Sequence, residues 1–377
     1  MSNYITARDA RRIIRENKRA IDDIEKRLKT LPASARKSVM RDADNIVEFD
    51  NLRTHFFTDS GVVKAVDGVS FDVPRGSTVG VVGESGCGKS VMSLSLMRLL
   101  QRPQGQITDG EIRLNAPDGA INIANTLPEK MGDIRGALLA MIFQEPMTSL
   151  NPVTRIGQQL DEVLDLHKVK LKERGILSDD SKAVIKKRTI ESLEMVGISN
   201  AEGVYGMYPH ELSGGMRQRA MIAMAMSCEP LLMIADEPTT ALDVTIQAQI
   251  LDLLRGLKDR INAGIMLITH DLGVVAEMAD TVVVMYAGRV VERGTATDIY
   301  KSPAHPYTVG LMKSKPIPGR KVRRLYSIPG RVPNPVEMPD YCYFRDRCEY
   351  ARGECDEYPP ERDVSATHKV SCWRDGI

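Results

Sequence analysis

The sequence predicts an α/β fold in which buried parallel strands alternate with helices, and three observations support this. Short apolar runs without strict alternation recur between residues 46 and 300, which is typical of strands buried on both faces. A glycine-rich loop follows the first of these runs and precedes a helical stretch. Between about 150 and 212 the apolar spacing is helical, so an α-helical insert is expected. The predicted strands are Val79–Val82, Ala140–Phe143, Leu231–Ala235, Ile265–Ile268 and Val282–Met285.

The composition bounds the class of protein. The chain has 377 residues, enough for one large α/β domain and a smaller appendage. Hydrophobic residues make up 42% and charged residues 27%, and the net charge of +1 gives no indication of a nucleic-acid partner. No apolar run approaches the roughly 18 residues that span a bilayer, and no signal-peptide core is present. We therefore expect a soluble, intracellular protein.

Residues 1–43 are rich in Arg and Lys and predict an amphipathic helix that Pro32 ends or bends. One interpretation is a solvated helix docked on its own domain or on a partner. The other is a helix that binds lipid headgroups. Apolar residues recur at helical spacing at Ile14, Ile21, Ile24, Leu28 and Leu31.

The glycine-rich loop Gly83–Ser90 has the sequence GESGCGKS and precedes a helical stretch that begins near Val91. Glycines let the backbone turn tightly, so that N–H groups point toward phosphate oxygens, and the helix adds its positive N-terminal end. Lys89 is placed to reach the β- and γ-phosphates of a nucleotide, and the Ser90 hydroxyl to bind Mg²⁺. The loop alone does not separate transporters from kinases, GTPases or helicases. The candidate nucleotide-binding residues are Gly83, Glu84, Ser85, Gly86, Cys87, Gly88, Lys89 and Ser90.

A second group of polar residues follows three other predicted strands. Asp236 and Glu237 come directly after Leu231–Ala235. A carboxylate there can hold Mg²⁺, and the next one can orient and deprotonate an attacking water. His270 lies at the end of another predicted strand and is a candidate sensor of the γ-phosphate. Gln144 follows a third predicted strand, and its side-chain amide could reach Mg²⁺ or the attacking water. The alternatives are solvated loop acids, a structural histidine and a surface glutamine.

The segment LSGGMRQ, Leu212–Gln218, places two glycines after a serine at the start of a helical run through Met226. This pattern predicts a second anion-binding helix N-terminus, and one nucleotide does not need two. We therefore expect a head-to-tail dimer in which Ser213, Gly214 and Gly215 cover the ATP held by the partner's loop. In phosphoryl transfer, a charge-stabilising group supplied by a second subunit is a known cause of rate acceleration.

These motifs together resemble those of the ATP-binding cassette (ABC) family, in the family's order, over residues 46–300. Gly83–Ser90 is similar to the Walker A motif and Leu231–Asp236 to the Walker B motif. Leu212–Gln218 resembles the signature, Gln144 the Q-loop and His270 the switch histidine. The resemblance implies a P-loop NTPase (ABC ATPase) core with an α-helical subdomain at about 150–215.

Two further residues are assigned by the resemblance alone. Phe56 matches the aromatic that stacks on adenine, although a phenylalanine of the core would look the same. Ala241–Asp243 resembles the D-loop, which adds Asp243 to the candidate nucleotide site.

A closer resemblance is to the oligopeptide/dipeptide/nickel importer branch, carried by FQEPMTSLNP at 143–152 and HPYT at 305–308. It implies an ATPase at the cytoplasmic face of a membrane that drives uptake of di- or oligopeptides, metal–ligand complexes being the less favoured solute. The implied partners are a second, different ATPase subunit, two transmembrane permeases and an extracytoplasmic solute-binding protein. The expected domains are an extension at 1–43, the nucleotide-binding domain at 46–300 and a Cys-rich C-terminal domain at 301–377.

The last segment carries Cys342, Cys348, Cys355 and Cys372, separated by 5, 6 and 16 residues. Four thiolates suit either Zn²⁺ or an iron–sulfur cluster, and the spacing lacks the two-residue gaps of most structural zinc sites. The resemblance implies a [4Fe–4S] cluster with a structural role. Zn²⁺, free thiols and disulfides are the alternatives.

Cys87 lies inside the glycine-rich loop, where relatives often carry serine. Because Lys89 and a helix N-terminus both favour a thiolate, we expect this thiol to be acidified and reactive. A maleimide should then inactivate the enzyme, and MgATP should protect it.

Two other functions stay open as alternatives. One is a non-transport ABC ATPase that acts on DNA or ribosomes, but the chain has one cassette and no basic patch with interleaved aromatics, so no nucleic-acid partner is expected. The other is a regulatory iron–sulfur protein whose cassette only binds nucleotide, against which the intact Glu237 and His270 argue.

Overall fold

A computed structural model describes residues 6–145, 149–240, 243–314 and 326–374 of the chain. The chain divides into two compact units. The first unit contains residues 1–72, 79–127 and 269–377, and the second contains residues 73–78 and 128–268.

The first unit begins with a four-stranded sheet in the order β2-β1-β4-β5. Strands β1 and β4 are antiparallel, as are β4 and β5. Phe49 and Phe71 stack in its buried face with ring centroids 4.6 Å apart. The strands are β1 (Asn45–Thr58), β2 (Gly61–Pro74), β4 (Gly105–Ala116) and β5 (Gly119–Asn122).

A second group of strands in the same unit follows the order β11-β12-β10-β9-β3. Strand β3 is parallel to β9 and buried throughout, as the unbroken apolar run predicts. The strands are β3 (Thr78–Val82), β9 (Thr281–Tyr286), β10 (Arg289–Thr295), β11 (Arg362–Asp363) and β12 (Lys369–Val370). The helices of this unit are α1 (Ala7–Thr30), α2 (Lys89–Leu96), α8 (Leu272–Met278), α9 (Ala296–Lys301) and α10 (Pro306–Lys313).

Helix α1 is capped by Thr6, whose side chain accepts a hydrogen bond from the Asp9 N–H. It packs on β1 and β4 of its own unit. The Asn17 side-chain amide donates to the Thr58 carbonyl at 2.8 Å, and Arg27 donates to the Thr108 carbonyl at 3.5 Å. These contacts favour the interpretation of α1 as a helix docked on its own domain.

The second unit is built on three parallel strands in the order β8-β7-β6. All three are fully buried. The strands are β6 (Leu139–Ile142), β7 (Leu232–Asp236) and β8 (Gly264–Thr269). The helices are α3 (Ile156–Glu173), α4 (Lys182–Met195), α5 (Ala201–Tyr205), α6 (Gly214–Met226) and α7 (Val244–Ile261).

All five predicted strands are confirmed, as is the helical character of residues 150–212. In α3, the apolar residues Ile156, Leu160 and Leu164 are buried, and Val163 is half-buried. Within the ranges that the structure describes, every helix is too short or too polar to cross a bilayer.

Candidate functional site

The glycine-rich loop turns the chain from β3 into α2, and two of its glycines admit no other residue. Gly83 has φ 154° and Gly88 has φ 96°. A Cβ at either position would lie 2.2 Å from a backbone oxygen, that of Met285 or of Ala65. Glycine is therefore required where the loop passes its neighbours.

Lys89 begins α2 and is 6% exposed. Its ammonium group donates to the carbonyl oxygens of Gly83 at 2.8 Å and Glu84 at 3.1 Å. The positive charge of Lys89 is thus held within the loop. Ser90, the predicted Mg²⁺ ligand, lies exposed in the first turn of the same helix.

Glu84 has partners that the sequence did not indicate. Its carboxylate accepts two hydrogen bonds from Arg347, at 2.6 and 3.0 Å, and its N–H donates to the Tyr307 hydroxyl at 2.8 Å. Both partners lie more than 200 positions away, so no local pattern could have revealed them. The HPYT segment at 305–308 marks the family resemblance, but its sequence does not indicate that Tyr307 contacts the loop.

The expectation that Cys87 is acidified and reactive is wrong. The Cys87 side chain is fully buried, and burial raises the pKa of its thiol above the usual value although Lys89, 3.8 Å away, acts in the opposite direction. Loss of water around the thiolate outweighs the nearby charge. The positive charge of Lys89 is evident from the sequence, but the burial of the Cys87 side chain in the core is not.

Phe56 and His270, also predicted for the nucleotide site, belong to the first unit. Phe56 is half-buried on β1, opposite Gly105 of β4. His270 follows the last residue of β8 and is exposed. Next to it, the Asp271 side chain caps α8 by accepting a hydrogen bond from the Gly273 N–H at 2.7 Å.

In the second unit, β7 ends at the buried Asp236, and Glu237 follows with a left-handed backbone, φ 48°. Such a conformation is uncommon for a residue other than glycine and is concentrated at functional sites. The Glu237 carboxylate accepts hydrogen bonds from the Gln144 side-chain amide and the Thr240 hydroxyl, both at 2.9 Å. The structure therefore brings together two predicted site residues, Gln144 and Glu237.

Ser213 caps α6, where its side chain accepts a hydrogen bond from the Met216 N–H at 3.3 Å. Gly214, the first residue of the helix, is exposed, and a Cβ added there would meet nothing within 4 Å. Gly215 is half-buried beside Ile246. The helix predicted to start after Ser213 is therefore present, and its first residue is exposed.

Helix α6 is connected to the backbone beyond Glu237, because the buried Gln218 amide donates to the Pro238 carbonyl at 2.6 Å. Asp243 caps α7 by accepting a hydrogen bond from the Ile246 N–H at 2.9 Å. The predicted D-loop residues 241 and 242 lie outside the described residues, as do 146–148 of the family-marking segment 143–152.

The four C-terminal cysteines line one pocket in the first unit: Cys342, Cys348, Cys355 and Cys372. Backbone N–H groups of Tyr350 and Arg374 donate to two of the sulfur atoms, at 3.4 and 3.5 Å. None of the six cysteines of the chain, all in described residues, is in a disulfide. Within the described ranges, however, no three His, Cys, Asp or Glu side chains are already arranged to hold a metal ion.

Comparison with known proteins identifies two family regions. The ABC transporter family matches residues 66–240, and the family "Oligopeptide/dipeptide transporter, C-terminal region" matches residues 291–355. The first region contains the glycine-rich loop and Glu237, and the second contains three of the four clustered cysteines.

Curated relatives match most of the chain. The oligopeptide transport ATP-binding protein AppD of Bacillus subtilis is 50% identical over 82% of this chain and 90% of its own length. The dipeptide transport ATP-binding protein DppD of the same species is 45% identical, over 88% and 95%. OppD of Haemophilus influenzae, an oligopeptide transport ATP-binding protein, is 44% identical, over 87% and 97%.

Among solved structures, the dimeric structure of MJ0796, a bacterial ABC transporter cassette, is 25% identical with a TM-score of 0.56. The match covers 66% of this chain and 98% of that one. A post-hydrolysis dimer of the same cassette, bound to ADP and Pi, matches equally well.

The burial of Cys87 makes a prediction that replaces the one from sequence. We expect maleimide to label Cys87 slowly in the folded protein at pH 7 to 8, because the thiol is enclosed and its raised pKa keeps it protonated. Labelling should accelerate in urea. Mass spectrometry of tryptic peptides measures the rate at each cysteine.

Cys228 is the internal control, since it is also fully buried and burial raises the pKa of its thiol to about 11. Fast labelling of Cys87 alone, prevented by MgATP, would restore the original expectation.

Proposed function

This chain belongs to the ABC transporter family, and we propose that it is the ATP-hydrolysing subunit of an importer of di- or oligopeptides. The observation that carries the proposal is 44–50% identity, over more than four fifths of the chain, to ATP-binding proteins named for oligopeptide or dipeptide transport. The family's ATPase motifs are all present in the sequence. The alternative of an ATPase that acts on nucleic acid or ribosomes finds no support among these relatives.

The reaction is hydrolysis of ATP to ADP and phosphate. In the first unit, the loop N–H groups and Lys89 bind the phosphates, and Phe56 stacks on adenine. Ser90 of the first unit, and Gln144 and Asp236 of the second, are the proposed ligands of Mg²⁺, because hydroxyl, amide and carboxylate oxygens are donor types that Mg²⁺ prefers. When bound, Mg²⁺ would supply positive charge that neutralises the β- and γ-phosphates of ATP.

Glu237 is the proposed base that takes a proton from the attacking water. Its hydrogen bonds from Gln144 and Thr240 hold the carboxylate as an acceptor, and its left-handed backbone fixes the direction of the side chain. His270 is proposed to contact the γ-phosphate as a polar sensor.

Ser213, Gly214 and Gly215 are proposed to complete the ATP site of a second cassette, together with Asp243. The exposed start of α6 supports this, because a helix N-terminus favours an anion and a Cβ added at Gly214 would meet nothing within 4 Å. The 13-residue helix has the dipole that favours negative charge at that end.

The working assembly that we propose contains this chain, a second and different ATPase subunit, two transmembrane permeases and an extracytoplasmic binding protein. The chain lies peripherally at the cytoplasmic face of the membrane. Its proposed domains are the extension 1–43, the nucleotide-binding domain 46–300 with a helical subdomain at about 150–215, and the C-terminal domain 301–377.

The four-cysteine pocket is proposed to hold a structural [4Fe–4S] cluster, with Zn²⁺ as the alternative. Four thiols on one pocket, two of which accept backbone N–H bonds, form a donor set that fits either group. A bound cluster would cross-link segments of the chain that carry little regular secondary structure.

The proposed function predicts the behaviour of Glu237→Gln in the complex assembled with its permeases. Peptide-stimulated ATP turnover should fall by about 10²–10⁴-fold, because the general base is lost while the shape of the side chain is kept. MgATP should remain bound and be recovered unhydrolysed. Phosphate release and retention of radiolabelled ATP measure the two effects.

Glu229→Gln is the matched control, since Glu229 also has a left-handed backbone, φ 49°, but is ion-paired to Arg188. It should leave turnover within about two-fold of the parent, as expected for a residue outside the chemistry. Normal hydrolysis in Glu237→Gln would remove the proposed base. Failure of peptide to stimulate the parent complex would remove the proposed solute.

The composite site predicts that Gly214→Asp abolishes turnover without weakening ATP binding by its own loop. A carboxylate at the open start of α6 would repel the γ-phosphate held by the opposing subunit. We expect a loss of about 10³-fold, the order of a trans contribution to phosphoryl transfer. Steady-state turnover and equilibrium binding of fluorescent ATP give the two quantities.

Gly256→Asp serves as the control, because a Cβ at this exposed glycine of α7 also meets nothing within 4 Å. Full activity of Gly214→Asp would contradict the proposed role of the α6 terminus.

The cluster proposal predicts about four iron and four sulfide per chain after anaerobic purification, with broad visible absorbance. The double variant Cys348→Ser/Cys372→Ser should lose both iron and sulfide. Cys228→Ser should retain the iron and the sulfide, because Cys228 lies outside the pocket. Elemental analysis decides the outcome. Zinc alone would establish the alternative, and absence of any metal would overturn both.

A further inference from the structure

We propose that Arg347, assisted by Tyr307, is a positioning residue for the phosphate loop and sets the affinity of the chain for MgATP. The proposal rests on the proposed assignment of Gly83–Ser90 to ATP. It adds a contribution from the C-terminal segment, which carries none of the ATPase motifs, to the nucleotide site.

Glu84 is held at all three of its polar groups. Its carboxylate binds Arg347 through two parallel hydrogen bonds of 2.6 and 3.0 Å. Its N–H donates to the Tyr307 hydroxyl at 2.8 Å, and its carbonyl accepts from the Lys89 ammonium at 3.1 Å. Two of these three anchors come from residues beyond 300, so the tail and the phosphate-binding lysine fix the same residue.

Arg347 is itself rigidly placed. Its side chain is 5% exposed, whereas that of Glu84 is 30% exposed. The remaining donors of its guanidinium contact the Pro329 carbonyl at 2.8 Å and the Tyr286 hydroxyl at 3.2 Å. A planar guanidinium fixed on three sides presents its fork to a carboxylate in one orientation only.

The Tyr307 side chain is also fixed by its packing. It is fully buried, and its ring lies 4.6 Å from that of Tyr286 and 5.4 Å from that of Phe344. The hydroxyl therefore meets Glu84 from a packed aromatic cluster, and substitution of the hydroxyl alone need not disturb the packing.

These contacts bear on nucleotide binding because a phosphate loop acts through the directions of its backbone N–H groups. A loop already held in one conformation loses less conformational entropy when phosphate binds, so its affinity is higher. Arg347 is the residue before Cys348, in the 3-10 turn Arg345–Arg347, so the orientation of its side chain depends on the fold of the four-cysteine segment.

The test compares Arg347→Gln, Glu84→Gln and the double variant in the full-length protein. Each single variant should weaken MgATP binding by about ten-fold, equivalent to one charge-assisted hydrogen-bonded pair. In the complex assembled with its permeases, KM for ATP should rise by a similar factor, with kcat at saturation within about two-fold of the parent. The double variant should be no weaker than either single one, because both remove the same interaction.

Tyr307→Phe provides an independent variant that keeps the buried ring and removes only the hydroxyl. It should weaken MgATP binding by several-fold, as expected for one lost hydrogen bond. Arg347→Lys should recover only part of the affinity, since an ammonium group cannot make the bidentate contact.

Two control variants separate positioning from stability. Arg293 makes an equivalent bidentate pair with Glu361, at 2.8 and 2.8 Å, away from the loop. The hydroxyl of Tyr300 donates to the Leu272 carbonyl. Arg293→Gln and Tyr300→Phe should lower the thermal midpoint as much as the test variants and leave the affinity for MgATP unchanged.

Unchanged MgATP affinity in folded Arg347→Gln and Glu84→Gln would overturn the proposal, as would additive losses in the double variant. If Arg347→Gln does not fold, Glu84→Gln and Tyr307→Phe decide in the same way. Failure of the parent protein to bind MgATP would instead refute the assignment of the loop itself.

Discussion

The glycine-rich loop must fit between two stretches of backbone, and this constraint governs the part of the first unit around it. Gly83 passes the Met285 carbonyl of β9, and Gly88 passes the Ala65 carbonyl of β2, each with room for hydrogen alone. Strands β9 and β2 therefore both limit the space around the loop. Sites that bind through backbone N–H groups depend on this kind of support, because no side chain can correct a misplaced amide.

In the second unit, the candidate site residues are held in position by side chains and not by close backbone contacts. Its candidate residues are fixed by capping and by side-chain hydrogen bonds: Ser213 caps α6, Asp243 caps α7, and Glu237 is held by Gln144 and Thr240. Ser213 and Asp243 thus have structural roles that do not exclude the proposed contact with nucleotide, because an N-cap side chain stands beside the same N–H groups that an anion would approach.

The strands and the helix starts were predictable because their signals are local. A continuous apolar run predicts β7, and a serine before two glycines predicts the start of α6. The Cys87 thiol was misjudged because the adjacent lysine is visible in the sequence whereas the enclosing core is not. The partners of Glu84 were missed for a related reason, since the Arg347 pair joins positions that lie 263 residues apart. Pairings of that range depend on tertiary packing, which a single sequence does not reveal.

The hydrogen bond from Gln218 to the Pro238 carbonyl has a mechanical consequence. It joins the body of α6, which Ser213 caps, to the backbone one residue beyond Glu237. A rotation of that helix is resisted unless the turn carrying the acidic side chain rotates with it. A neighbouring chain that displaced the start of this helix would therefore also displace Glu237, the proposed base.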